Sequence, residues 1–169
     1  MSPLVLAVNV SPLQFCHNDL VSQVAEVLKD TGFPARCLEL ELTESSLMSN
    51  EGTTQAILDN LRQLGVQIAI DDFGTGYSSL AYLKRFPVTT LKIDKSFVDD
   101  IPHKQEDMAI SATIIAMGHI LGFKVLAEGV ETPEQLAFLQ EKGCDSYQGY
   151  IKSQPLPAQE FEQLLRNEN

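Results

Sequence analysis

Short apolar runs alternate with segments of helical periodicity along all 169 residues, and this alternation is the feature that most constrains the fold. The runs occupy residues 4–10, 38–42, 66–70, 90–93, 124–127 and 146–151. Several of them are continuously apolar, which is typical of strands covered on both faces. Because strands that alternate with helices through short loops build right-handed βαβ units, the pattern predicts about six β/α units around a parallel sheet.

The helical segments carry their own start and stop signals. Glycines close four of them, at Gly32, Gly65, Gly122 and Gly143. The last of these four begins with Thr132 as its N-cap and Gln135 at capping-box spacing. In the segment before it we expect Ile110 to face inward, and in a final C-terminal helix we expect Phe161 to be buried.

Composition and charge exclude several classes of protein. A hydrophobic fraction of 44% and a charged fraction of 21% predict one soluble globular domain over residues 1–169. No run approaches the roughly 20 apolar residues that span a bilayer, so no membrane insertion is expected. Three cysteines without a CxxC pair, and no basic patch at the N-terminus, predict a cytoplasmic protein with reduced thiols. The net charge of −11 disfavours nucleic acid, so an anionic ligand would need bound cations.

Polar side chains stand at or just after the end of each apolar run. They are Asn9, Glu41, Glu44, Asp71, Asp72, Lys92, Asp94, Glu128, Glu131 and Gln148. In a parallel α/β barrel the carboxyl ends of the strands meet on the face where active sites are built. We therefore expect residues that are far apart in sequence to converge there.

The carboxylates of this set predict a cation site. Glu41, Asp71, Asp72 and Glu128 could not all remain charged in a partly dry pocket without compensation. Oxygen ligands select Mg²⁺, Mn²⁺ or Ca²⁺ over zinc, and paired ions assist phosphoester displacement. Each residue also has a simpler interpretation, such as a solvated Asp-Asp turn, or a Schiff-base role for Lys92. The repeated placement at successive strand ends favours the shared site.

Six motifs resemble those of one known family in order and spacing. They are "VNVSP", "LELELTES", "IAIDDFGTGYSSL", "LKIDKSFV", "VLAEGVET" and "YQGYIKSQPLP". The family is that of the EAL domain, whose members are cyclic di-GMP phosphodiesterases. The resemblance implies a TIM-like α/β barrel that hydrolyses cyclic di-GMP to linear pGpG with Mg²⁺ or Mn²⁺, through two ions.

The resemblance also implies a role for each matched residue. Asn9, Glu41 and Asp71 correspond to ligands of one metal, and Asp72 and Glu128 to ligands of the second, with Asp71 between the ions. Lys92 corresponds to the lysine that holds the nucleophilic water or the phosphate oxygens, and Glu128 also to the general base. The loop after Asp72, which responds to dimerisation in the family, is implied to be braced by Glu44 and Glu131. Asp94 and Gln148 match motif positions, and their roles stay open.

The sequence departs from the family pattern in two places. No Glu-Ala-Leu motif occurs, although the family takes its name from that early strand and its metal-binding glutamate. A complete barrel takes about 250 residues, so 169 residues correspond to the C-terminal two-thirds, without the first two strands. Lys152 and Gln154 also stand where the family has an aromatic and a basic residue.

These departures keep a second interpretation open beside catalysis. An incomplete barrel is expected to be weakly active or inactive, which favours a non-catalytic module that binds cyclic di-GMP or a protein. The missing strands would leave an open sheet edge, which favours association. The resemblance further allows a homodimer and an upstream sensory or GGDEF domain.

Overall fold

The computed structural model describes residues 4–16, 19–47, 51–76 and 80–167 of the chain. Within these ranges six strands form one parallel sheet in the order of the sequence. The strands are β1 (Leu6–Val10), β2 (Leu38–Thr43), β3 (Gln67–Phe73), β4 (Thr90–Ile93), β5 (Lys124–Ala127) and β6 (Ser146–Tyr147). Parallel strands taken consecutively and separated by helices are the arrangement of a β/α barrel, here an incomplete one.

Helices connect these strands over the same ranges. They are α1 (Pro12–Cys16), α2 (Leu20–Thr31), α3 (Glu44–Leu47), α4 (Glu51–Gln63), α5 (Leu80–Leu83), α6 (Gln105–Leu121), α7 (Pro133–Glu141) and α8 (Ala158–Asn167). Short 3-10 helices cover Ala35–Cys37 and Lys95–Phe97. Gly32 and Gly122 end α2 and α6 in the left-handed conformation, and the capping box of Thr132 and Gln135 begins α7, as predicted.

The hydrophobic core lies between the middle of the sheet and the helices. Leu42, Ile70, Leu91 and Ile93 on the central strands are fully buried, and Leu58 of α4 packs into the same cluster. The prediction of strands covered on both faces is confirmed for β2 and β4, all of whose residues are buried or nearly so. Burial of this apolar surface is the main force that holds the sheet and its helices together.

The first edge of the sheet is open, as expected, whereas the last strand is shorter than predicted. Four of the five residues of β1 are exposed, because β1 pairs with β2 alone among the described residues. The strand predicted over 146–151 is wrong beyond Tyr147, since only Ser146 and Tyr147 pair with β5. The incomplete barrel therefore has a buried centre and open flanks.

Two helical side chains expected to be buried are exposed. Ile110 is 38% exposed because α6 turns Ser111 toward Phe97 of the 3-10 helix and Gly118 toward β5 instead. At Gly118 a side chain would lie 2.5 Å from Val125 Cγ2, so close approach of helix to strand sets this rotation. Phe161 is 46% exposed, since the two-residue β6 offers α8 little sheet to cover.

None of the helices described here is long and apolar enough to cross a membrane.

Candidate active site

The carboxyl ends of the first five strands form one rim of the sheet. Asn9 in β1 lies beside Glu41 in β2, and Asp71 lies near the end of β3. Lys92 is the third residue of β4, and Glu128 directly follows β5. The register of the parallel strands thus brings these five polar side chains to one place, which we call the acidic rim.

Lys92 is the centre of the acidic rim. Its Nζ atom donates to Glu41 Oε1 at 2.7 Å, to Asp71 Oδ1 at 3.0 Å and to Glu128 Oε1 at 2.7 Å. The residue is only 2% exposed, so these contacts are screened little by water. One ammonium against three carboxylates leaves an excess of negative charge before Asp72 is added.

The Asn9 carboxamide faces the same two carboxylates. With its nitrogen turned toward them, it lies 3.3 Å from Glu41 Oε2 and 3.3 Å from Asp71 Oδ2 and donates to both. With its oxygen turned toward them, three oxygens face one another, an arrangement that repels unless a cation lies between. The amide can therefore serve either the metal-free or the metal-bound site.

A break in the β3 ladder explains how Asp71 and Asp72 reach the same site. Neighbouring residues of a regular strand point to opposite faces of the sheet. Between Ile70 and Phe73, however, the pairing with β4 shifts, and Asp72 adopts φ 54°, in the left-handed region. Such irregularities re-aim side chains, and they concentrate at functional sites.

The result is a set of carboxylates that could hold a metal ion. One oxygen each of Asp71, Asp72 and Glu128 lies within 4.8 Å of the others. The donor set consists of oxygens only, which suits hard divalent cations better than zinc. The excess negative charge around Lys92 points to the same class of ion.

Glu44 holds the turn that follows the two aspartates. Its Oε2 accepts hydrogen bonds from Gly74 N at 3.1 Å and Gly76 N at 3.3 Å. A side chain at position 76 would lie 2.9 Å from Glu44 Oε1 and would displace this carboxylate, so glycine favours the contact. Gly74 has φ +100°, which also favours glycine. Glu44 thus contacts the turn after Asp72, and its bracing role stays a prediction; residues 77–79 of the motif lie outside the described residues.

Glu131 makes a different contact from the one expected. Its Oε1 accepts from Lys95 Nζ at 2.8 Å, and Lys95 also donates to Asp99 at 2.6 Å. This exposed ion pair joins the loop after β5 to the 3-10 helix after β4. Glu131 therefore braces a neighbouring loop and not, among the described residues, the turn after Asp72.

Asp94 and Gln148 occupy the margins of the rim. Asp94 Oδ1 accepts from Ser96 N at 3.0 Å and from Ser96 Oγ, so it caps the 3-10 helix that begins with Lys95. The Gln148 side chain is exposed, and its backbone pairs with Ala127 and Val130. Gln148 thus secures the end of the sheet through its main chain.

Burial and crowded charges shift three pKa values. Burial raises the pKa of Glu128 against the lowering effect of Lys92, and Asp71 adds to the rise. Burial also raises the pKa of Asp72, with contributions from Asp71 and Asp94. Burial by itself would lower the pKa of Lys92, but its three carboxylate partners raise it overall. Lys92 is therefore a permanent cation, whereas Glu128 is a stronger base than an ordinary glutamate.

One buried polar pair lies beneath the rim and was not among the site residues predicted from the sequence. Thr90 Oγ1 donates to Glu39 Oε2 at 2.6 Å, and both residues are buried. Glu39 lies two residues before Glu41, and Thr90 lies two residues before Lys92. This period-two spacing was the signal available in the sequence, since such residues share a face of a strand.

An incomplete parallel β/α barrel with carboxylates gathered at its strand ends defines a TIM-type protein with a site suited to divalent metals. Residues 2–155 match the EAL domain, and the chain belongs to the EAL domain family. It is 52% identical over 163 residues to the cyclic di-GMP phosphodiesterase NbdA of Pseudomonas aeruginosa. That alignment covers 96% of this chain and 21% of NbdA, so the chain spans about a fifth of this relative.

Solved structures of the family have the same fold. The phosphodiesterase PaMucR in complex with c-di-GMP superimposes with a TM-score of 0.90 at 46% identity, over 93% of this chain and 64% of that one. A manganese and cyclic di-GMP complex of BlrP1 from Klebsiella pneumoniae gives a TM-score of 0.81 at 36% identity, over 89% of this chain and 39% of that one. At the level of the family, the comparisons support metal-dependent hydrolysis of cyclic di-GMP.

Proposed function

We propose that this chain carries the catalytic rim of a cyclic di-GMP phosphodiesterase, which hydrolyses one phosphodiester of the cyclic dinucleotide and yields linear pGpG. The observation that carries the proposal is the buried contact of Lys92 with Glu41, Asp71 and Glu128, next to Asp72. Such an excess of carboxylates would repel an anionic substrate unless cations were bound. A metal-dependent reaction on a phosphodiester accounts for both the excess of carboxylates and the binding of an anionic substrate.

The oxygen donors fit a pair of Mg²⁺ or Mn²⁺ ions. We assign Asn9, Glu41 and Asp71 to one ion, and Asp72 and Glu128 to the other, with Asp71 shared. When bound, such ions lower the pKa of a water molecule and offset charge on the phosphate oxygens. Asp72 can take part only because the β3 irregularity turns it toward the rim.

Lys92 and Glu128 provide the protein's own contribution to the reaction. The Lys92 ammonium is buried and fixed by its contacts, so it can stabilise negative charge that develops on a phosphate oxygen, or hold the attacking water. Glu128 has a raised pKa and lies beside Lys92, so it can accept the proton of that water. Glu44 keeps the turn after Asp72 in place through Gly74 and Gly76.

Product analysis with matched variants tests this proposal. The 169-residue chain is incubated with cyclic di-GMP and Mn²⁺, and the mixture is chromatographed for pGpG. We expect pGpG at a low rate, because the barrel is incomplete, and a further loss of about 10²-fold or more in that rate in Lys92→Met, which keeps the length of the side chain without its charge. Glu128→Gln should have a similar effect, whereas Asp145→Asn at the opposite end of the sheet should leave the rate unchanged. Equal rates in all four proteins would refute the assignment.

A second candidate is a module that binds cyclic di-GMP or a protein without catalysis. The absence of a Glu-Ala-Leu motif from the sequence favours it, since the resemblance assigns a metal-binding glutamate to that motif. Calorimetry with cyclic di-GMP separates the two candidates. Binding that is equal with Mn²⁺ and with EDTA, together with no pGpG, would support the second candidate over the first.

The cytoplasmic location, the homodimer and the upstream sensory or GGDEF domain remain predictions. PaMucR and BlrP1 are described as complexes with the dinucleotide, and this supports cyclic di-GMP as the partner proposed here.

A further inference from the structure

The buried pair of Glu39 and Thr90 lies directly beneath the acidic rim. Glu39 and Glu41 lie on the same face of β2, and Thr90 and Lys92 lie on the same face of β4, because strand side chains alternate with period two. The Glu39–Thr90 hydrogen bond and the Glu41–Lys92 ion pair therefore form two successive bridges from β2 to β4. The Glu39–Thr90 bridge has no part in the proposed reaction.

Both bridges cross over β3. Ala69 pairs with Glu41 on one side and with Thr90 on the other, so its methyl group lies on the path between β2 and β4. Strands two places apart are separated by roughly 9.6 Å, a span that a glutamate can cross only over a small side chain. Ala69 is fully buried, and it leaves the room that the Glu39 carboxylate needs to reach the Thr90 hydroxyl.

The backbone alone does not fix Lys92 against β3. The regular β3–β4 pairs are Ala69 with Thr90 and Ile70 with Leu91, and pairing resumes only at Phe73 with Ile93. Lys92 thus faces the irregular stretch, where Asp71 and Asp72 oppose one residue. Thr90 belongs to the regular pairing just before this break, so a bond at Thr90 fixes β4 close to the point where ladder hydrogen bonds are disrupted.

We propose that Glu39 and Thr90 are positioning residues: their hydrogen bond holds β2 and β4 at a fixed separation below the β3 irregularity, and thereby places Lys92 against Glu41 and Asp71. In this proposal Glu39 positions β4 as a hydrogen-bond acceptor, and its negative charge is not needed. Its consequence for cation binding rests on the proposed function, because the rim binds cations only if that function is right. Its consequence for Lys92 itself does not depend on any metal.

The first measurement therefore uses the metal-free chain. NMR observes the side-chain ammonium of Lys92, which three carboxylates should protect from exchange with water in the unaltered protein. We expect Thr90→Val, which keeps the branched shape without the hydroxyl, to lose this protected signal. Thr90→Ser keeps the hydroxyl and should retain it. A protected Lys92 signal in Thr90→Val would overturn the proposal whether or not the chain binds metal.

The matched control is Thr89→Val, the same change one residue earlier. Thr89 Oγ1 donates to Ile68 O at 2.8 Å and accepts from Ile68 N at 3.1 Å, so this variant also loses hydrogen bonds, here partly buried ones. It should be destabilised to thermal unfolding but should keep the Lys92 signal. If Thr89→Val and Thr90→Val lose the signal equally, Thr90 has only a general structural role.

Calorimetry with Mn²⁺ alone extends the test to the cation site. We expect Thr90→Val to bind Mn²⁺ about 10-fold more weakly, which is the usual effect of losing a residue that orients metal ligands. Glu39→Gln, whose amide oxygen still accepts from Thr90, should stay close to the unaltered affinity. An equally large loss in Glu39→Gln would mean that Glu39 acts through its charge, and would overturn the hydrogen-bond assignment. No Mn²⁺ binding by the unaltered chain would count against the proposed function, while the Lys92 signal would still decide the positioning role.

Discussion

The two ends of the sheet both bring acidic and basic side chains into contact, but they do so in different surroundings. At the carboxyl ends of the strands, Lys92 is surrounded by three carboxylates and is nearly inaccessible to water. At the opposite ends of β5 and β6, His119 Nε2 and Asp145 Oδ2 lie 2.8 Å apart, and both side chains are about 40% exposed. Asp145 also accepts from Val125 N at 2.8 Å.

The comparison shows what separates a reactive site from a stabilising contact. The pair at the opposite end is solvated and matches one acid with one base, so it needs no further ion. In the acidic rim Lys92 and Glu41 are buried, Asp71 and Glu128 are partly buried, and carboxylates outnumber cations, which makes the rim costly unless divalent ions bind. The first arrangement secures the start of two strands, whereas the second suits the cation site proposed above.

Removing the central cation should have the largest effect. Lys92→Met leaves the buried Glu41 and the partly buried Asp71 and Glu128 without their partner, which should lower the free energy of unfolding by about 3 kcal/mol in EDTA. Because Mn²⁺ binds the folded state, it should restore a large part of this stability. Urea denaturation with and without Mn²⁺ measures both effects. If Mn²⁺ leaves the midpoint of Lys92→Met unchanged, these carboxylates do not form a cation site.

Loss of the loop brace should come next in size. Glu44→Ala leaves the Gly74 and Gly76 amides without their carboxylate acceptor, and because both glycines are exposed to water this should cost about 1 kcal/mol. Amide hydrogen exchange should become faster at these two glycines, while Gly122 at the end of α6 serves as an internal control. Unchanged exchange at Gly74 and Gly76 would show that Glu44 does not hold this turn.

Much of this site could be predicted, because it follows from the two-residue period of strand side chains and from the sequential order of the parallel strands. Asn9, Glu41, Lys92 and Glu128 stand at the ends of four of the first five strands, and a parallel sheet leaves them little freedom to lie elsewhere. The capping box of α7 was equally predictable, since a few neighbouring residues form all of it. A local sequence pattern that is compatible with only one structure can be recognised in a single sequence.

Other features depend on contacts that no local pattern records. The turn of Asp72 toward the rim arises from a shift in pairing between β3 and β4, and the partner of Glu131 is decided by the position of Lys95. Ile110 was predicted to be buried from periodicity alone, but the approach of Gly118 to β5 fixes which face of α6 is covered. Each of these outcomes is set by tertiary packing.

The two ends of the sheet should also respond to pH in opposite directions. In EDTA the folded-state pKa values of Glu128 and Asp72 lie above their ordinary values of 4.5 and 3.8. The folded protein therefore binds more protons there than the unfolded chain, and the rim becomes more stabilising as pH falls through the raised values. Urea midpoints from about pH 7 to pH 4.5 measure this trend. Glu128→Gln should reduce it, and an equal trend in Glu128→Gln would exclude Glu128 as its source.

The smallest effect is expected from the solvated pair at the opposite end. Burial would raise the pKa of Asp145, but hydrogen bonds from Val125 N and His119 lower it below 3.8 overall. Its contribution is therefore present above pH 3.8 and is lost as pH falls through the lower folded value. Because the pair is well exposed, Asp145→Asn should lower the free energy of unfolding by only about 0.5 kcal/mol at pH 7. The Mn²⁺ affinity of Asp145→Asn should equal that of the unaltered chain. A loss of Mn²⁺ binding in Asp145→Asn would mean that the two ends of the sheet are coupled, and that the contrast between them is not a division between stability and function.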